Sequence, residues 1–232
     1  MIVRDQGESV LLITQPDHAH LAGRIMECCV PLAGRPRRDA ILHAVAEHDN
    51  GWADEDASPA LDPGTGRVVD FVNAPAAVRH RVWPRGVARL ASDPWAAALV
   101  AQHAITVYDR FRPDPEWTPF FSTMEELCDQ MLSGSGLPLE DLLDDYVFVR
   151  LGDLISLTFC TGWTDVQRFA DWSVRRDDTH VVVSPDPFGG KVVPIEVHAR
   201  QLRGGPLRTD AELHEALGAA ESITLRGDVR GA

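Results

Sequence analysis

Four stretches with the apolar periodicity of a helix each place a histidine or an aspartate where a core side chain is expected. The residues concerned follow one another in the order His18, the pair His48-Asp49, His103 and Asp153. Burying such a side chain without a partner costs roughly 1–3 kcal/mol. One divalent cation can satisfy several of them together. The chain is therefore constrained to a fold that brings the four stretches to one point.

The His48-Asp49 pair ends the second of these stretches. An imidazole and a carboxylate from consecutive residues can bind one ion, or two neighbouring ions, if the helix that carries them ends there. Gly51 provides such an end. In the first stretch, the helical period places His18 on the apolar face and His20 on the opposite side.

The other two stretches carry a single candidate each. His103 lies within a broad apolar face, and Asp153 is the one carboxylate in the apolar run 151–160. A lone histidine on an apolar face is more often a hydrogen-bonded core residue than a ligand. Asp153 has two alternatives of its own, since it could cap a helix or pair with Arg150. The order of the residues along the chain favours the metal interpretation.

The periodicity and the turn residues predict an α+β chain. We expect a mainly α domain over residues 1–163 and a subdomain of antiparallel strands over residues 164–232. The Pro-, Gly- and Asp-rich segment 54–84 is expected to be a long loop that covers the site. The predicted helices are 15–29, 39–50, 93–109, 123–132, 139–159 and 210–217, and the predicted strands are 10–14, 181–183, 192–197 and 223–225.

The net charge and the composition of the chain limit the classes of molecule that it is expected to bind. The chain of 232 residues has 22 Lys and Arg against 35 Asp and Glu, a formal net charge of −13. A negative field repels nucleic acid and anionic membranes, so we expect a small-molecule substrate instead. The four cysteines form no Cys-x-x-Cys motif, and no segment resembles a signal peptide or a membrane span, which favours the cytoplasm. The oligomeric state stays open.

Six further residues are candidates for a substrate cleft. Three tryptophans could line it, although tryptophans usually pack in the core or at its rim. Three arginines could bind a substrate phosphate, although a solvated run of charge is commoner. The residues are Trp52, Trp83, Trp95, Arg79, Arg81 and Arg85.

The arrangement of the candidate ligands resembles that of the HD-domain metalloproteins. In that group an all-helical core carries a His on an early helix, a His-Asp doublet on the next and an Asp on a late one. His18, His48-Asp49 and Asp153 match these positions, and His103 matches the additional His of two-metal members. The resemblance spans roughly residues 15–160 and implies an HD-like helical core. Trp52 stands where some phosphodiesterases of the group have a Lys.

Three longer motifs resemble a family of uncharacterised bacterial proteins of about this length. That family has no established activity. The motifs are Gln15-x-Asp17-His18-Ala19-x-Leu21, His48-Asp49-x-Gly51-Trp52 and Asp153-x-x-Ser156-Leu157.

We therefore expect one or two divalent ions, Mn, Fe or Zn, bound by His18, His48, Asp49, His103 and Asp153. The favoured function is metal-dependent hydrolysis, with a phosphoester as substrate and Asp49 orienting the attacking water. One alternative, implied by the resemblance, is a di-iron oxygenase that acts on a small molecule. Another is a non-catalytic binding protein in which these residues form a satisfied polar core.

Overall fold

The structure is a computed structural model that describes residues 1–203 and 207–232. The helices in these ranges are α1 Gln15–Met26, α2 Val30–Ala33, α3 Arg38–Glu47, α4 Ala53–Ala57, α5 Ala76–Arg89, α6 Pro94–Tyr108, α7 Thr118–Ser135, α8 Leu139–Thr161 and α9 Asp210–Ala219. The strands are β1 Ile2–Asp5, β2 Ser9–Ile13, β3 Gln167–Phe169, β4 Trp172–Asp177, β5 His180–Ser184, β6 Val192–Arg203 and β7 Glu221–Gly231. Short 3-10 turns occupy Asn50–Trp52, Asp109–Phe111 and Pro115–Trp117.

The strands form one mixed sheet of seven strands in the order β1-β2-β6-β7-β5-β4-β3. Strand β5 pairs with β7 in parallel, and the other neighbours are antiparallel. Along most of β6 exposed and buried residues alternate, with Val193, Ile195 and Val197 buried. This alternation is typical of a strand that has one face on the core and one in solvent.

Helix α8 is the centre of the helical layer. Every residue from Leu151 to Cys160 is buried. The helix contacts α1, α3 and α6, and on another side it contacts β1, β3, β4 and β5. The fold is therefore a layer of helices packed on a sheet, and α8 contacts both the other helices and the sheet. In the described ranges, no helix combines the length and the apolar character that crossing a membrane requires.

Two glycines let three helices approach one another closely. A Cβ added at Gly152 of α8 would lie 2.9 Å from Met26 Cγ of α1 and 2.9 Å from Val45 Cγ1 of α3. A Cβ at Gly23 of α1 would lie 2.9 Å from Ala46 Cβ of α3. All three distances are shorter than side chains tolerate in a packed core. The absence of these side chains brings α1, α3 and α8 together beside the candidate ligands.

The predicted fold class is wrong in its central point. We expected a mainly α chain with an HD-like core and antiparallel strands near the C-terminal end, but β1 and β2 from the other end join the same sheet, and the sheet is mixed. The chain is α+β. Strand β2 pairs with β6 through partners as distant as Leu12 and Arg200, and local hydrophobic patterns carry no signal for such a pairing. The division between residues 1–163 and 164–232 stays a prediction.

The expectation of a loop with little regular structure over 54–84 is wrong at both ends. Helix α4 occupies its beginning, and α5 starts directly after Pro75. A proline is compatible with the start of a helix, because the first amides there have no partner within the helix. The helix then continues through Pro84, since its apolar face buries Val82 and Trp83. The stretch between α4 and α5 is the part without a helix.

Candidate metal site

Five buried residues from four separate elements converge on one point, and we call them the histidine-aspartate cluster. His18 lies on α1, His48 caps the C-terminal end of α3, Asp49 follows it, His103 lies on α6 and Asp153 lies on α8. All five are less than 10% exposed. The inward positions predicted from the helical period are confirmed, and so is the outward position of His20, which is exposed.

The ligand atoms of the cluster lie close together. His18 Nε2 is 2.8 Å from Asp49 Oδ2 and 3.9 Å from Asp153 Oδ1. His48 Nε2 is 3.6 Å from Asp49 Oδ2 and 3.4 Å from Asp153 Oδ1. His103 Nε2 is 3.6 Å from Asp153 Oδ2. The imidazole ring of His48 meets the rings of His18 and His103 edge to face, with centroids 4.9 and 5.0 Å apart.

These spacings suit a common metal ion. Ligands about 2.0–2.1 Å from one ion lie roughly 3.0 Å apart in octahedral and 3.4 Å apart in tetrahedral coordination. Two groups of three have ligand atoms that all lie within 4.8 Å of one another: His18, His48 and Asp49, and His48, His103 and Asp153. Both groups can hold a metal ion, and mixed imidazole and carboxylate ligation suits Mn, Fe and Zn alike. The role of the five residues as ligands stays a prediction.

The hydrogen bonds of His48 leave one of its nitrogens without a donor or acceptor partner. Its Nδ1 is 2.7 Å from the carbonyl oxygen of Val45, so Nδ1 carries a proton and donates it. The buried Nε2 has no hydrogen-bond partner among the described residues. In the neutral ring this atom presents a lone pair to the carboxylates of Asp49 and Asp153, an arrangement that needs a proton or a metal ion between them.

The ring of His18 is also oriented through its Nδ1, in this case by Ser156. Its Nδ1 is 2.8 Å from Ser156 Oγ, and the Ser156 hydroxyl donates to the carbonyl oxygen of Asp153 at 3.1 Å. Because the hydroxyl has a single proton, its oxygen accepts from the His18 Nδ1–H. The Nε2 of His18 therefore faces the cluster, 2.8 Å from Asp49 Oδ2, a contact that needs a proton or a metal ion between the two atoms. Fixing the distal nitrogen of a histidine by such a hydrogen bond is common around bound metals.

Burial and the two carboxylates together set the charges of the histidines in the cluster. Burial opposes the charged ring of His48, but the carboxylates of Asp49 and Asp153 outweigh it and raise the pKa of His48 to about 9. Burial raises the pKa of Asp153, but the neighbouring ring of His48 and the charge of Arg150 hold it well below its usual range. Burial lowers the pKa of His103 to about 3. Without a metal, two ionised carboxylates thus share the site with the charged ring of His48 and the neutral ring of His103.

Asp153 has a second partner that the sequence offered as an alternative. The guanidinium of Arg150, one helical turn earlier on α8, donates to Asp153 Oδ2. The other oxygen, Oδ1, faces His18 and His48. The ion pair and the ligand interpretation are therefore compatible, because each uses a different carboxylate oxygen.

A cavity of about 280 Å³ opens onto the cluster. Asp49, His103 and Asp153 form part of its wall. Trp52 and Trp83 line it as predicted, whereas Trp95 is outside its lining and donates to Asp145. The volume lies near the lower end of small-molecule sites, which are about 300–1,000 Å³.

Sequence reasoning missed one residue beside the cluster and did not distinguish a second residue from its neighbours. It gave Ser156 no role, although the residue lies one helical turn after Asp153 and is buried. It grouped Arg79 with Arg81 and Arg85, but Arg79 lines the cavity and is 7% exposed while the other two pair with acids of α4. The signal was present, because Arg79 stands three and four residues before the apolar Val82 and Trp83.

Comparison with known proteins gives one match. The sequence model of a family described as "Protein of unknown function (DUF3891)" matches residues 1–204. No curated protein and no solved structure matches the chain. The expectation of a family without an established activity agrees with this match, whereas the resemblance to HD-domain metalloproteins receives no support from it. The matched range contains the whole histidine-aspartate cluster.

Proposed function

Since the chain belongs to the DUF3891 family, whose function is unknown, we propose its function from the site alone: it is a divalent-metal-dependent hydrolase of a small phosphoester. The observation that carries the proposal is the buried Nε2 of His48, which has no hydrogen-bond partner among the described residues and faces two carboxylates at the wall of a cavity. A divalent ion there satisfies the imidazole and neutralises both acids.

In this proposal the residues of the cluster bind the metal ion, and one of them also orients the attacking water. His18, His48, Asp49, His103 and Asp153 hold the ion. When bound, the ion supplies a water of lowered pKa and polarises a phosphoryl oxygen. Asp49 lies on the cavity wall and its pKa is lowered despite burial, because His48 and His18 oppose the effect of burial. It is therefore ionised and able to orient a water by accepting its proton in a hydrogen bond.

The cavity supports a small substrate and a reaction shielded from bulk water. Trp52 and Trp83 are nearly fully buried and form part of the wall beside the cluster. Water exclusion strengthens electrostatic interactions with a developing charge. The arginines on the same wall, Arg79, Arg110 and Arg150, suit an anionic substrate.

The first test is elemental analysis of the full chain purified without chelator or added metal, with Asp49→Ala beside it. We expect at least one equivalent of a transition metal in the wild type and its loss in the variant. Asp39→Ala is the matched control, because Asp39 is fully exposed on α3. No metal in any sample, and none after incubation with Mn, Fe or Zn, would overturn the ligand assignment and favour the binding protein.

The second test is turnover of a phosphoester panel by the metal-loaded protein. We expect hydrolysis of p-nitrophenyl phosphate or a related small ester that Asp49→Ala lacks and Asp39→Ala retains. Because an oxygenase would use the same ligands, oxygen uptake is measured in parallel. Metal-dependent oxygen consumption with no ester cleavage would reject the hydrolase in favour of the di-iron alternative.

A further inference from the structure

Arg79 is a buried cation with no acidic partner in the described ranges. It lies on α5, and its one hydrogen bond there goes to the carbonyl oxygen of Val72. The residue is 7% exposed, and its buried Nε has no hydrogen-bond partner among the described residues. Its guanidinium lies over the rings of Tyr108, Phe111 and Trp117 at 5.6 to 5.9 Å. These rings hold the charge in place without neutralising it.

Arg79 is the only fully buried arginine in the described ranges, and several less buried arginines have the acidic partner that it lacks. Arg35 and Arg37 both pair with the buried carboxylate of Asp145, and Arg85 pairs with acids of α4. A buried charge without such a partner is unfavourable by several kcal/mol. Proteins retain it where a ligand supplies the opposite charge, so Arg79 points to an anion from outside the protein.

Arg79 shares its cavity with the histidine-aspartate cluster and lies at the far end of an aromatic wall. The wall runs from the ring of His103 to that of Trp83, 5.6 Å away, and on to Tyr108, 5.9 Å further, which Arg79 overlies. Of the arginines that line the cavity, Arg150 is paired with Asp153 of the cluster, whereas Arg79 has no acidic partner in the described ranges.

Three other buried polar atoms on the cavity wall lack hydrogen-bond partners among the described residues. They are the side-chain oxygen of Gln15 and the indole nitrogens of Trp52 and Trp83. Buried polar groups are nearly always paired, so several unpaired ones around one cavity indicate that a ligand completes them. Together with Arg79 they describe a site built for an anionic molecule that also carries hydrogen-bonding groups.

We propose that Arg79 binds an oxyanion of the substrate, a carboxylate or a phosphate, at a subsite separate from the group that meets the cluster. The substrate is then a small molecule with an anionic group at one end and the reacting group at the other. The identity of the reacting group rests on the proposed function, but the Arg79 subsite does not. A guanidinium offers such an oxyanion a planar pair of donors.

The test is calorimetric titration of sulfate, a non-hydrolysable oxyanion, into the full chain as purified. The wild type is compared with Arg79→Gln and with Asp49→Ala, and Arg226→Gln serves as a control at an exposed arginine of β7 outside the cavity lining. We expect Arg79→Gln to weaken sulfate binding at least about tenfold. Asp49→Ala and Arg226→Gln are both expected to bind sulfate as the wild type does.

Three results would overturn the proposal. One is unchanged affinity in Arg79→Gln, and another is loss of affinity in Asp49→Ala with Arg79→Gln unaffected, which places the anion at the cluster. The third is no binding by the wild type at about 10 mM sulfate. If Arg79→Gln does not fold, Arg79→Lys decides, because it keeps the charge and loses the planar donor pair, so unchanged affinity in that variant also rejects the subsite. Retained sulfate binding beside an absence of hydrolysis would reject the proposed function alone.

Discussion

Binding of a divalent ion is expected to release one proton from His48 at neutral pH. The ligand atom is the Nε2 of this ring, and burial together with the stronger opposing effect of Asp49 and Asp153 raises its pKa to about 9. The metal-free ring is therefore protonated at pH 7, and a metal ion has to displace that proton. His103, with a pKa lowered by burial to about 3, is already neutral and releases none. The two carboxylates have lowered pKa values and are already ionised.

The size of the effect follows from the distance between the pKa and the working pH. Between pH 7 and a pKa of about 9 lie two units, and each unit is worth about 1.4 kcal/mol, so displacing the proton makes the free energy of metal binding less favourable by about 2.8 kcal/mol at pH 7. Metal affinity increases with pH, because raising the pH removes the competing proton from His48. Affinity is expected to rise about tenfold per unit from pH 7 towards 9 and to level off above it.

Calorimetric titration of Mn²⁺ into the protein measures both the number of protons released and the pH dependence of the metal affinity. In buffers that differ in ionisation enthalpy, the observed heat reports the number of protons released, and a pH series reports the slope. We expect about one of the released protons to come from His48 at pH 7. His48→Gln should bind the metal more weakly and lose this proton, whereas His20→Gln, a change at an exposed histidine, should behave as the wild type. Tight binding with no proton release and no pH dependence would refute the assignment of His48 as a ligand.

Three further substitutions test the surroundings of the cluster. Ser156→Ala removes the acceptor of the His18 Nδ1 proton, so metal affinity should fall about 10- to 100-fold in a chelator competition, and an unchanged affinity would contradict the orienting role. Gly51→Ala places a Cβ 2.0 Å from a carbonyl oxygen of α5 and should cost about 3 kcal/mol or more in urea unfolding, while Gly218→Ala, where a Cβ meets no described atom, should be neutral. Asp145→Ala removes the buried carboxylate that pairs with Arg35 and Arg37, leaving Arg37 only the more exposed Asp141, and should cost about 3 kcal/mol without changing metal content; coupled loss of metal would link that ion pair to the site.

The candidate site was more predictable from the sequence than the fold was. An ionisable residue on an apolar helix face is costly, so its presence in the pattern is a local signal that needs no knowledge of the rest of the chain. His18, His103 and Asp153 were found in this way, and the structure places them together. The same rule would have separated Arg79 from its exposed neighbours if α5 had been recognised as a helix.

The sheet could not be predicted by such local rules. The sequence predicts a strand over residues 10–14, where β2 lies, but the partner strand β6 lies almost at the other end of the chain. Pairing over that separation is decided by the burial of whole faces, which a sequence window does not contain. Ser156 was missed for a related reason, because its role depends on the hydroxyl donating within α8 and accepting from α1.

The shared position of His48 decides how many ions the cluster holds in its described arrangement. Both three-residue groups include this histidine. A neutral imidazole whose Nδ1 donates to a carbonyl has one lone pair left, on Nε2, and one lone pair binds one ion. The two groups therefore cannot be filled together through His48. A single ion can be reached by His48 with both Asp49 and Asp153, whose oxygens lie 3.6 and 3.4 Å from its Nε2. A second ion would have to be bridged by those carboxylates and held without His48, so one equivalent per chain is the expected metal content.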